Sequence, residues 1–122
     1  SDSSYRFERA LDPHGPDWAS RRCCELILEL AGGELLDGVV FAGTPPRPQC
    51  DPITLRFGQI KRILGIEISS AQAVRILESL GLKRVAGGVA DATVTFVPPS
   101  NRRDLAREID LIEEVARIHG YD

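Results

Sequence analysis

Apolar and polar positions alternate most regularly after residue 50, and this pattern predicts a strand followed by two short helices. Residues 53–57 alternate apolar and polar side chains, as a half-buried strand does. Residues 58–64 carry apolar side chains at helical spacing, so a short helix should follow the strand. A second helix is expected from Ser69, where Gln72 would complete a capping box, to Leu80.

A hairpin and a final helix complete the predicted order of elements. Residues 82–85 and 93–97 have the composition of strands, and the glycine pair at 87–88 favours a turn between them. Apolar residues at helical spacing then mark the last helix, which Gly120 ends: Leu105, Ile109, Ile112 and Ala116. The order strand, helix, helix, hairpin, helix predicts an α+β fold with a winged-helix-like module over residues 51–122.

The first part of the chain is less regular. Residues 1–12 are mostly polar and could form a short strand or a tail. Pro16 suits the first turn of a helix, which Gly32 should end. Apolar residues at helical spacing form one stripe along that helix: Ala19, Cys23, Leu26, Ile27 and Leu30. Residues 35–41 could form a short strand. The proline-rich stretch 43–48 cannot hold a helix or a central strand, so we expect a linker there.

Composition places the chain among ordinary soluble domains. Its 122 residues are 43% hydrophobic and 27% charged, which argues against a disordered chain. Apolar runs fall short of the roughly 18 residues that a membrane span needs, and the polar N-terminus is unlike a signal peptide. The three cysteines lack the spacing of a zinc site and are expected to be reduced thiols. We therefore expect a cytoplasmic protein without a membrane partner.

A winged-helix-like order of elements also suggests DNA binding as an alternative function. Such domains often place their second helix in the major groove. Here that helix presents Arg75 as its one basic residue, and the whole chain has a net charge of -3. Nucleic-acid binding usually depends on a basic surface that neutralises phosphates, so the charge favours a packing module over a DNA reader.

Four carboxylates near the C-terminus are the candidate metal ligands. Asp110, Glu113 and Glu114 are spaced i, i+3 and i+4, which places them on one broad helix face. Asp104 precedes them by six residues, about 9 Å of helical rise from Asp110, so one ion could reach both only if Asp104 lay off the helix or water bridged them. Carboxylate oxygens are the ligands that Mg²⁺ prefers.

The same residues also fit a solvated charged face, which the spacing alone favours. Asp110 could pair with Arg107, and Glu113 with Arg117 four residues later. Asp104 could satisfy free amide groups at the start of the helix.

Several stretches together resemble the beta subunits of bacterial phenylalanyl-tRNA synthetases. The motifs are residues 4–13, the glycine stop at 31–33, and the ending Asp104 followed by DLIEEVARIHGY at 110–121. Residues 53–56, 63–65 and 76–81 match as well. The resemblance covers nearly the whole chain. Two departures occur, since Ala10 stands where the family usually has glycine, with little effect expected, and Asn101 where an aromatic residue is common.

The resemblance implies a piece of a larger enzyme. Residues 1–45 would be the tail of the tRNA-editing region, residues 46–50 a linker, and residues 51–122 the winged-helix-like fifth domain. The whole enzyme joins phenylalanine to its tRNA with ATP and Mg²⁺ as an alpha2-beta2 assembly. The piece itself would be non-catalytic, contacting the alpha subunit. It would contribute to a Mg²⁺ site shared with that subunit, through Asp104, Asp110, Glu113 and Glu114.

Overall fold

A computed structural model describes residues 1–45 and 50–120. The chain divides into two units, Ser1–Pro48 and Gln49–Asp122. Four of the five residues of the predicted linker, 46–49, lie outside the described residues. The assignment of the two parts to an editing-region tail and a fifth domain stays a prediction.

The described residues of the first unit form two helices, α1 over Asp2–Glu8 and α2 over Gly15–Ala31. The expectation of a strand or tail at the N-terminus is wrong. Ser1 caps α1 by accepting a hydrogen bond from the Ser4 amide at 3.2 Å, and Asp2 in the first turn favours the helix dipole. The strand expected over residues 35–41 is also wrong. A strand needs a hydrogen-bonded neighbour, and the described part of this unit offers none.

Helix α2 confirms the helix predicted from the apolar stripe. Pro16 lies in its first turn, and Gly32 ends it at a φ of +75° with its amide bonded to the Leu28 carbonyl. None of its side chains is buried, and Trp18 and Leu30 are 70% and 82% exposed. The stripe therefore exists as a helix face, but this unit does not cover it.

The second unit has the predicted order of elements and is an α+β structure. Its elements are β1 (Ile53–Arg56), α3 (Phe57–Leu64), α4 (Ser70–Ser79), β2 (Lys83–Gly87), β3 (Thr93–Val97) and α5 (Glu108–His119). Gly65 ends α3 in the left-handed conformation at a φ of +71°. Leu105, expected on the last helix, instead lies three residues before α5 and is buried.

The strands form one antiparallel sheet in the order β1-β3-β2. In the central strand, Val94 pairs with Leu55 and Phe96 pairs with Ile53. Strand β2 is an exposed edge with an irregular register beside Val85. Gly87 is required where β2 ends, because its φ is +73° and a Cβ there would lie 2.3 Å from the Thr93 carbonyl oxygen.

The helices α4 and α5 supply the other side of the core. Its fully buried side chains include Leu55, Ile60, Leu77, Val94, Phe96, Leu111, Ile112 and Val115. Ser69 caps α4 by accepting from the Gln72 amide at 3.2 Å, as predicted. The Gln72 side chain does not complete the capping box by bonding back to the start of the helix. Its nitrogen instead lies 3.1 Å from His119 Nδ1 and links α4 to the end of α5. Across the described residues, no helix is both long and apolar enough to span a membrane.

Candidate functional site

The candidate site lies around the start of α5, where Asp110 stabilises the entry of the chain into the helix. Its Oδ2 accepts hydrogen bonds from the amides of Ala106 at 3.0 Å and Arg107 at 2.8 Å. These amides have no partner within the helix, so a carboxylate at the third helical position satisfies them and also favours the helix dipole. The predicted side-chain pair between Arg107 and Asp110 is replaced by these backbone contacts.

Asp104 lies outside the helix and is held by Arg102. The Arg102 guanidinium donates from Nε to Asp104 Oδ1 at 3.0 Å and from Nη2 to Oδ2 at 2.9 Å. This two-point contact is the strongest geometry of an arginine–carboxylate pair. The hydrogen bond from Arg102 holds the pKa of Asp104 below its ordinary value against the opposing effect of burial. One alternative predicted that Asp104 would accept hydrogen bonds from the amides at the start of the helix. That prediction is wrong, because Asp110 accepts them instead.

Glu114 is the buried acid of the site, at 9% exposure. Its Oε1 accepts from Arg102 Nη2 at 2.7 Å, and its Oε2 accepts from Arg117 Nε at 3.0 Å. Burial raises the pKa of Glu114, but the hydrogen bonds from Arg117 and Arg102 outweigh it, so the pKa lies below its ordinary value. A buried carboxylate needs such partners, because its own hydration is lost.

Glu113 is exposed and has no side-chain partner among the described residues. The pair expected with Arg117 is not formed, since Arg117 bonds to Glu114, three residues before it. The desolvated carboxylate gains more from the guanidinium than the hydrated one does. Neighbouring residues on a helix also point about 100° apart, which separates Glu113 from Glu114.

The four candidate ligands are therefore not gathered around one point. Nowhere in residues 1–45 and 50–120 does a group of three or more acidic, histidine or cysteine side chains take an arrangement that could hold a metal ion. The donor chemistry suits Mg²⁺. The arrangement in this chain does not fit the ion, because Asp104 and Glu114 are occupied by arginines and Asp110 by backbone amides. Their role as ligands stays a prediction.

Arg102 is the residue that sequence reasoning missed. Its Nη2 contacts both Asp104 and Glu114. The hydrogen bond to Asp104 and, more weakly, the one to Glu114 raise the pKa of the Arg102 guanidinium against the opposing effect of burial. The sequence shows only an Arg102-Arg103 pair in a loop, with no periodicity to reveal which of the two contacts the carboxylates. Its partner Glu114 lies twelve residues away, beyond the reach of helical spacing rules.

The helix that would read DNA carries little positive charge. Arg75 is the one basic residue of α4, and Glu78 on the same helix pairs with Arg84 at 3.7 Å. Lys61 at the end of α3 likewise lies 3.4 Å from Glu67. Acidic partners reduce the field that phosphates would meet, so these contacts lend the DNA-binding alternative no support.

The family profile described as the tRNA synthetase B5 domain matches residues 53–121. The match begins at the first residue of β1 and runs through α5, so it includes every described element of the second unit. The chain belongs to the tRNA synthetase B5 domain family.

Relatives of this B5 chain extend over its first unit as well. It is similar to proteins named phenylalanine–tRNA ligase beta subunit from Rhodopirellula baltica (52% identical over 122 residues, covering 100% of this chain and 17% of the relative), Xanthomonas euvesicatoria (47% over 123 residues, 100% and 15%) and Salinibacter ruber (43% over 122 residues, 100% and 14%). The predicted resemblance to such beta subunits is confirmed. The chain spans about one sixth of the length of these relatives.

Proposed function

We propose that the chain is part of the beta subunit of a phenylalanine–tRNA ligase, where it serves as a non-catalytic module that contacts the alpha subunit. The observation that carries this proposal is the similarity of all 122 residues, at 43–52% identity, to three proteins of that name. The ATP-dependent attachment of phenylalanine to its tRNA would then be the activity of the whole alpha2-beta2 assembly, in the cytoplasm.

The division of labour within the chain is part of the same proposal. The second unit would be the winged-helix-like fifth domain, which the order of β1, α3, α4, the hairpin and α5 supports. The first unit would be the tail of the tRNA-editing region. Its exposed apolar side chains support this, because apolar patches of this kind are normally covered by protein. They include Phe7, Trp18, Ile27, Leu30, Leu36 and Val40.

A supporting rather than catalytic role agrees with what the charged groups of the second unit do. Asp110 accepts hydrogen bonds from two backbone amides, Glu114 pairs with two arginines, and Glu108 pairs with Arg56. Groups that act as general acids or bases usually lie in clefts with their pKa moved toward neutrality. Here the pKa values of Asp104, Glu108 and Glu114 are all moved away from neutrality by arginines.

A contribution to Mg²⁺ binding is proposed only for the assembled enzyme. The ligands would be Asp104, Asp110, Glu113 and Glu114, shared with the alpha subunit. Three of them are engaged within this chain, so the site would need oxygen ligands and exclusion of solvent from the partner. Mg²⁺ gives up its own water reluctantly, which makes a few exposed carboxylates a poor site by themselves.

A segment exchange in the R. baltica enzyme tests the proposal. Its beta subunit would receive these 122 residues in place of the segment that they match, and would be co-expressed with its alpha subunit. We expect the chimaera to co-purify with the alpha subunit and to charge tRNA with phenylalanine. A matched chimaera carrying Phe96→Asp, which breaks the core of the second unit, should fail in both assays.

The decisive comparison is between assembly and folding. A chimaera that folds, as judged by its circular dichroism, but neither binds the alpha subunit nor charges tRNA would contradict the proposal. The DNA-binding alternative is tested by measuring the binding of the 122-residue chain to duplex DNA at low salt. Micromolar binding with a steep salt dependence would favour the DNA-binding alternative.

A further inference from the structure

Arg102 lies where a cation would have to lie to serve two of the proposed ligands. One nitrogen, Nη2, is 2.9 Å from Asp104 Oδ2 and 2.7 Å from Glu114 Oε1. The side chain of Arg102 is 23% exposed and that of Glu114 only 12%, so this contact is largely shielded from water, whereas the Asp104 side chain is 62% exposed. The charge that would attract a metal ion is thus already compensated from within the chain.

The loop that carries Arg102, residues 98–107, is fixed at several points. The Arg102 amide donates to the Pro99 carbonyl at 2.9 Å, and the buried Leu105 donates to the Arg102 carbonyl at 3.3 Å. At its far end Asp110 binds the last two amides of the loop. The guanidinium is therefore held in place by its backbone as well as by its ion pairs.

We infer that Arg102 is the resident cation that bridges Asp104 and Glu114, while Arg117 holds the other oxygen of Glu114, and that a divalent ion can bridge these two carboxylates only when the Arg102 guanidinium is displaced. A planar guanidinium with two-point contact is pre-organised for carboxylates, whereas Mg²⁺ would have to lose water to replace it. Arg102 thus joins the loop 98–107 to α5 and competes with a divalent ion for the Asp104 and Glu114 carboxylates. The inference rests on the ligand set proposed above.

The test compares divalent-ion binding by the 122-residue chain and its Arg102→Gln variant. Calorimetry with MgCl₂ measures affinity, and Mn²⁺ broadening of the amide signals of Asp104 and Glu114 locates the ion. We expect Arg102→Gln to bind about tenfold more tightly than the wild type, because the ion then no longer has to displace the charge-assisted hydrogen bonds that the guanidinium donates to Asp104 and Glu114.

Two further variants separate the competition between Arg102 and the ion from general effects of charge and folding. Arg107→Gln removes one positive charge from the same loop, but the Arg107 side chain has no partner among the described residues, so its affinity should equal that of the wild type. Arg102→Lys keeps a cation without the two-point contact and should bind with an affinity between those of wild type and Arg102→Gln. This conservative variant also gives a reading if the glutamine variant does not fold.

The inference is overturned if the wild type binds Mg²⁺ in the micromolar range, or if neither Arg102 variant gains affinity over it. An equal gain from Arg107→Gln would also overturn it, because the effect would then be one of net charge. These outcomes are independent of the segment exchange. Failure of the chimaera to assemble would reject the ligase proposal without changing the competition measured here.

Discussion

Arg56, the last residue of β1, and Glu108, the first residue of α5, are joined by both backbone and side-chain hydrogen bonds. The Arg56 amide donates to Glu108 Oε2 at 3.0 Å, and its guanidinium donates to Oε2 at 3.1 Å and to Oε1 at 2.8 Å. The two residues are 52 positions apart in the chain. The contact therefore fixes the start of α5 at the end of the first strand, where the sheet ends and the candidate site begins.

Glu108→Ala should destabilise the second unit by about 1–2 kcal/mol. The change leaves the Arg56 amide without its acceptor and removes a negative charge from the first turn of α5. Urea denaturation followed by far-ultraviolet circular dichroism measures the effect. Glu113→Ala is the matched control on the same helix, since Glu113 is exposed and without a partner in the described part of the chain, and it should cost less than about 0.5 kcal/mol. Equal losses in the two variants would contradict a specific role for Glu108.

Periodicity predicted the second unit well because its elements are amphipathic and pack on one another. The alternation at 53–57 and the spacing of Ile112 and Ala116 are borne out by the core, whereas Ile109 of the same predicted stripe is 41% exposed. The first unit was predicted less well. The start of α1 depends on the Ser1 cap, and residues 35–41 have no strand partner in the described part of the unit; no hydrophobic pattern records either feature.

The candidate site was predicted by residue type but not by arrangement. Helical spacing placed Asp110, Glu113 and Glu114 on one face, and the structure then divides them by burial. Arg117 chooses Glu114 over Glu113 because the buried carboxylate has lost its water. Arg102 reaches Glu114 through the tertiary fold, a contact that spacing within one helix cannot reveal.

Stability should fall as the pH drops below about 4.5, because the pKa values of three paired carboxylates are lowered in the folded chain. The hydrogen bond from Arg56 lowers that of Glu108, and arginines lower those of Asp104 and Glu114. The unfolded state then binds more protons than the folded state in this range, so stability rises with pH. The contribution is fully present above the ordinary values of 3.8 for Asp and 4.5 for Glu and is lost as the pH falls through the lowered values.

Denaturation midpoints between pH 2.5 and pH 7 check this expectation. The wild type should show a plateau above about pH 5.5 and a decline in acid. Glu108→Gln removes one of the three groups, so its midpoint should be lower at neutral pH and should fall less steeply in acid. Parallel curves for the two proteins would show that Glu108 does not contribute to the pH dependence.

Ala10→Gly should stabilise the first unit by about 0.5–1 kcal/mol, contrary to the small effect expected from the sequence. Ala10 has a φ of +63°, the left-handed conformation that costs residues with a Cβ about 1 kcal/mol or more. Thermal unfolding of the first unit can be followed by the amide NMR signals of α2, because Trp18 is 70% exposed and its fluorescence would change little. Ala19→Gly within α2 is the control with the opposite sign, since glycine inside a helix costs about 1 kcal/mol. A loss of stability in both variants would show that the strain at Ala10 is negligible.

Hydrogen exchange of the isolated chain should be slower in α5 than in α2. Five residues of α5 are buried, namely Leu111, Ile112, Glu114, Val115 and Ala116, whereas α2 has none. Amides in a packed helix exchange through opening of the whole unit, while those of an exposed helix exchange through local fraying. A helix of 17 residues with no buried side chain gains little from packing and is only marginally stable in water. Mass spectrometry of peptides covering 18–31 and 108–119 measures the difference. Equal protection of the two peptides would mean that the apolar face of α2 is covered in solution, and would contradict the view that the second unit is the stable part of the chain.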